Sequence, residues 1–263
     1  MTAFPANLAT GRPILFSIST TLIFTVFVIA TAVVQKTASE PITQEALGAL
    51  GRTVIGALAL ACLANCGWLS WLASGGSRTS WLLILTPLLY LLAVYPLLFS
   101  GSYRLPPEDG TVLSMVAANG FAAGVMEELI FRGLVLGALV LRWGVTGAGL
   151  WRALVVSSLL FSAPHALNVL FGAQALTTLA QLVWAFLLGM VFGTLVVAGG
   201  SVWPVAALHG ISNALVHANR YGHDLSLDMS SAVLLALAPL PLVWYAWDLL
   251  HRGRRLPQAP VSA

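Results

Sequence analysis

The chain is a succession of apolar runs, each about as long as a bilayer is thick. A helix adds ~1.5 Å per residue, so ~20 apolar residues cross a ~30 Å hydrocarbon core. Runs of this kind lie near 13–35, 52–73, 81–99, 111–140, 152–172, 177–198, 202–219 and 231–250. In lipid the backbone must satisfy its own hydrogen bonds, and runs of this length do so as helices. The expectation is an all-α, polytopic transmembrane bundle of about eight spanning helices. It would form one membrane-embedded domain over 1–263, with a basic, disordered tail over 251–263. Only 8% of residues are charged, against ~25% in soluble domains. Twelve basic and nine acidic residues are spread thinly, which leaves no phosphate-binding footprint and excludes a nucleic-acid partner.

The first run exceeds the ~7–15 apolar residues of a signal peptide and is expected to stay as an anchor. Cys62 and Cys66 lie on one helix face inside an apolar run, without nearby metal ligands, and read as packing residues. Lys and Arg set orientation. With both termini in the cytoplasm, the inner side holds Arg12, Arg78, Arg142, Arg152, Arg252, Arg254 and Arg255. The outer side then holds Lys36, Arg52, Arg104 and Arg220. The expectation is an integral multi-pass protein of a plasma (inner) membrane.

Ionisable groups at bilayer depth cost ~2.5–3.5 kcal/mol each on insertion scales, so those that remain inside need a reason. Span four carries Glu127, Glu128 and Arg132, span five His165, and span seven His209 and Asn213, with His217 further on. Each group lies near the middle of its own run, which suggests one shared site on three helices. Glu128 and Arg132 stand four apart and can pair along one face. Glu127 points about 100° away and is left free for other work. A carboxyl in a low-dielectric site suits general acid–base chemistry. His209 and Asn213 share a face, and the Asn amide can hydrogen-bond a developing oxyanion. Phe161 stands four before His165 and can steady its ring, while Pro164 opens the helix locally.

Glu127-Glu128-Leu129-Ile130-Phe131-Arg132 reads EExxxR, Phe161 to His165 reads FxxxH, and His209 to Asn213 reads HxxxN. In that order, on separate apolar helices, the three motifs resemble the CAAX prenyl protease and bacteriocin-processing family of intramembrane endopeptidases. The resemblance covers about residues 111–219, the expected catalytic core. It implies a hydrolase that cuts a membrane-associated peptide or protein within the lipid bilayer. Glu127 would activate water, His165 and His209 would line the same site, and Asn213 would hold the oxyanion. Glu128, Arg132 and Phe161 would be supporting residues. The resemblance leaves both a glutamate-based and a metal-dependent mechanism open. No HExxH helix is present, yet Glu127, His165 and His209 could supply three ligands to a divalent metal such as zinc. The metal-free version is preferred. Two other readings compete. A proton-coupled transporter would also place Glu, His and Arg at depth, though no inverted repeat is visible. A non-catalytic immunity or scaffold protein could keep the same fold. The loop Gly101–Gly110 and the segment Arg220–Ser230 are candidate gates, with ordinary loop polarity as the alternative.

Overall fold

A computed structural model of the chain describes residues 9–69, 76–98, 110–220 and 227–252, and among these every regular element is helical. The segments 101–109 and 221–226, which belong to the two expected gates, and the tail from 253 onward lie outside the described residues.

The first long helices are α1 (Pro13–Gln35) and α2 (Pro41–Asn65), each opened by a proline in its first turn, where no N–H partner is needed. Two shorter helices follow, α3 (Arg78–Leu83), capped by Ser77 on the Ser80 N–H, and α4 (Leu85–Leu98). The fourth run becomes α5 (Gly110–Glu128), a π-helical stretch (Leu129–Val135) and α6 (Leu136–Trp143). The fifth is α7 (Gly147–Ser162), capped by Thr146, and it tightens into a 3-10 helix (Ala163–Phe171) at Pro164. The chain continues as α8 (Ala175–Gly199), α9 (Trp203–Arg220), α10 (Met229–Leu237) and α11 (Leu240–Arg252).

Among the described residues five stretches are long and apolar enough to cross a membrane: Pro13–Gln35, Pro41–Asn65, Gly147–Phe171, Ala175–Gly199 and Met229–His251. Their outward faces carry bare apolar side chains, such as Leu22, Val26, Leu234 and Trp244, each more than 60% exposed. Lipid, not water, suits such a surface. The protein is an integral membrane protein. Residues 110–143, the 3-10 helix with His165, and α9 carry the polar groups expected to form a site, and residues 128–139 are buried without a break.

The second helix corrects the sequence reading. It begins at Pro41, not near 52, so Arg52 sits in mid-helix and not at the start of the run.

Close approach between helices depends on glycine. Gly120 and Gly124 stand four apart on α5 and face α9. A Cβ at Gly124 would lie 2.6 Å from the Gly210 backbone nitrogen, and one at Gly120 would lie 2.7 Å from the Asn213 carbonyl oxygen. No side chain fits there, so the two backbones touch, as small-xxx-small pairs allow in membranes. Gly189 and Gly193 repeat the device where α8 meets α7, against Ser158 and Leu154. The first pair sets the glutamates of α5 level with His209 and Asn213. The second holds the helix that leads to His165.

Candidate active site

Glu127 and Glu128 are neighbours in sequence with different surroundings. Glu128 is fully buried, and its Oε1 lies 3.1 Å from Arg132 Nη1. That contact is off the hydrogen-bond line, so charge holds the pair. The same Oε1 lies 2.8 Å from His209 Nδ1. Glu127 keeps 22% of its side chain exposed, and its Oε2 faces the other nitrogen of the same imidazole, Nε2, at 3.7 Å. That gap is too long for a direct hydrogen bond, and both groups line the larger cavity described below. His209 therefore stands between the two carboxylates.

Phe161 organises the aromatic side. The Arg132 guanidinium lies 4.2 Å from its ring centre, a cation–π contact that offsets burial of the charge. The His165 ring meets Phe161 edge-on at 5.4 Å and the His209 ring at 5.9 Å. Phe192 of α8 closes the far side of His209 at 5.3 Å. His165 Nδ1 lies 3.2 Å from the carbonyls of Phe161 and Ser162. An Nδ1–H donating to its own helix would leave Nε2 as the free nitrogen.

Two adjoining cavities of about 340 and 410 Å³ open on these groups. Glu127, His165, Phe161 and Arg52 line both, while His209, Asn213 and His217 line the larger. The smaller is otherwise mostly apolar, with Phe24, Val28, Ile29 and Phe171 among its walls. The α5, α7 and α9 motifs thus meet at one cleft. Glu128 and Arg132 stand behind it and touch neither cavity.

Three metal ligands were one expectation for this cluster. Among the described residues no three His, Cys, Asp or Glu side chains converge to hold a metal ion. The Nδ1 contacts of His209 with Glu128 and of His165 with its own helix carbonyls leave the two Nε2 atoms as the nitrogens that would hold one, with Glu127 nearby.

Sequence reasoning missed Arg52 and its partners. Arg52 Nη1 donates to Asn119 Oδ1, and Asn119 Nδ2 donates to Glu45 Oε2 at 2.6 Å. Arg52 also interacts electrostatically with Glu127. The available signal was helical spacing: Glu45, Gly48 and Arg52 fall on one face of α2. The glycines at 120, 124 and 210 were also missed, although GxxxG spacing is visible in the sequence.

Residues 109–215 match the family model described as Rce1-like, type II CAAX prenyl endopeptidase. The match includes all three motifs and excludes Glu45 and Arg52. No curated protein and no solved structure matches the chain.

Proposed function

We propose that this chain, whose residues 109–215 match the Rce1-like family model, is an intramembrane endopeptidase that hydrolyses a peptide bond by glutamate-activated water. The observation that carries the reading is the split between the two carboxylates, one sealed against Arg132, the other open to a cavity and facing the free side of His209.

The steps follow from that split. Glu127 takes a proton from a water in the cavity that it lines with His209, and the hydroxide attacks the scissile carbonyl. The Asn213 amide, lining the same cavity, donates to the tetrahedral oxyanion, and His165 borders the same space. The C–N bond then breaks, and the proton held by Glu127 passes to the leaving amine. Glu128 fixes His209 through Nδ1, so the imidazole keeps one orientation throughout. Every step uses groups of this chain.

The substrate is a membrane-associated peptide, and the mostly apolar smaller cavity suits apolar residues or a lipid chain beside the scissile bond. A prenylated peptide with a CAAX-type tail is the substrate to test first. Positive charge on the short loops supports a topology with both termini in the cytoplasm, in a plasma membrane. The test compares the membrane proteomes of cells making the wild-type chain and the Glu127→Gln chain. An uncut membrane protein should accumulate with the variant, and its cleavage product should appear with the wild type. Identical proteomes would contradict the proposal.

A further inference from the structure

We infer that Arg52 is a positioning residue of this site, held in place by Asn119 and Glu45, and that it fixes the Glu127 carboxylate in the cavity. The inference rests on Glu127 being the group that activates water.

The argument starts on α2, where Glu45, Gly48 and Arg52 present one stripe to α5. Glu45 and Arg52 stand seven apart, roughly 10 Å along the axis, so they form no local pair. Asn119, buried on α5, bridges them. Its carbonyl oxygen accepts from Arg52 Nη1 and its amide donates to Glu45 Oε2 at 2.6 Å. The amide has this one sensible orientation, oxygen to the cation and nitrogen to the carboxylate. Gly48 makes the room, because a Cβ there would lie 2.7 Å from Asn119 Nδ2 and 2.8 Å from its Oδ1.

Interhelical adhesion alone does not call for this arrangement. A hydrogen-bonded Ser, Thr or Gln pair would join α2 to α5 without placing two charges on an apolar helix. The bridge instead delivers a cation to a particular place. Among the described residues, Arg52 and Glu127 are the two carboxylate or guanidinium groups that line both cavities. Arg52 interacts electrostatically with Glu127 as well as with Glu45. Glu127 otherwise faces His209 from α9 at 3.7 Å, and Arg132 stands behind, with its nearest carboxylate oxygen on Glu128. Arg52 thus brings a bridged cation to the two cavities that Glu127 also lines. The carboxylate faces an imidazole at 3.7 Å and shares its cavities with a guanidinium that Asn119 keeps in place. The bridge lies outside the three motifs, and Glu45 and Arg52 lie outside the family match.

The test uses the purified full chain in lipid vesicles with a prenylated CAAX-tailed peptide, measuring kcat, KM and thermal unfolding for each variant. Arg52→Gln should lower kcat by roughly 10-fold to 100-fold, with KM changed by less than about twofold. Arg52→Lys, which keeps the charge, should recover part of that loss. Gly48→Ala displaces the Asn119 amide without removing any charge, and should lower kcat in the same way if Arg52→Gln does not fold. Unchanged kcat in the folded Arg52→Gln and Gly48→Ala chains would overturn the inference, as would a KM effect alone. Glu127→Gln separates the two readings. If it is inert while Arg52→Gln is fully active, the inference about Arg52 falls and the water-activating role stands. If Glu127→Gln is active, or the wild type leaves the peptide intact, both fall.

Discussion

Glu128 holds His209 by the nitrogen that faces away from the cavity: Oε1 lies 2.8 Å from Nδ1, and the same oxygen lies 3.1 Å from Arg132 Nη1. A carboxylate with no exposed surface thus binds a charge from its own helix and an imidazole from α9. Removing it orphans both. Glu128→Ala is expected to destabilise the chain by about 3–5 kcal/mol, the cost of an unpaired buried charge. Replacing Glu128 and Arg132 together by Leu should recover much of that stability and none of the activity. Denaturant or thermal unfolding of the single and double variants checks the first statement, and peptide cleavage checks the second.

Gly124 decides how closely α5 meets α9. A methyl group there would sit 2.6 Å from the Gly210 backbone nitrogen, so backbone must move. Displacing reacting groups by about 1 Å can cost on the order of 100-fold in rate. Gly124→Ala is therefore expected to lose that much activity, and Gly124→Leu to fail to assemble. Cleavage assays and unfolding curves on both variants check this.

Metal removal provides a third test. The proposed steps use Glu127, Asn213 and the histidines, and the three candidate ligands do not converge. Prolonged treatment with a strong chelator, followed by assay in metal-free buffer, should leave the cleavage rate within about twofold of the untreated protein. Loss of activity that zinc alone restores would refute the metal-free scheme.

The start of α10 has a pH dependence with a definite sign. Asp228 Oδ1 accepts from the Ser231 backbone N–H at 2.7 Å and from Ser230 at 2.9 Å. These bonds, the Ser231 backbone bond foremost, hold the Asp228 carboxyl below the usual aspartate range. A carboxyl depressed in the folded state stabilises it above the unfolded value, and that contribution fades as pH falls through the folded value. Stability is thus expected to drop at acid pH below the ordinary aspartate range. Asp228→Asn keeps the cap and should lose that part of the pH dependence. Unfolding measured across acid pH for both chains reads the difference.

The helical bundle was legible because apolar runs of spanning length leave the backbone few alternatives. The three motifs were legible because charges at bilayer depth are few, so Glu127, Glu128 and Arg132 stood out. Arg52 was not legible as part of the site. Its charge, with Glu45, looked like the edge of an apolar run, since the compensating group lies on another helix at Asn119. A bridge between residues 45, 119 and 52 is a tertiary contact, which hydropathy along one helix does not reveal. The placement of His209 between two carboxylates was hidden for the same reason, since it depends on Gly120 and Gly124 letting two backbones touch.

The most direct measurement takes the wild-type chain and Glu127→Gln through one preparation, with peptide cleavage and thermal unfolding read on the same samples in vesicles. The account predicts that Glu127→Gln unfolds at the wild-type temperature and cleaves at least about 100-fold more slowly, the contribution expected of a general base. A folded Glu127→Gln chain that cleaves at close to the wild-type rate would contradict it.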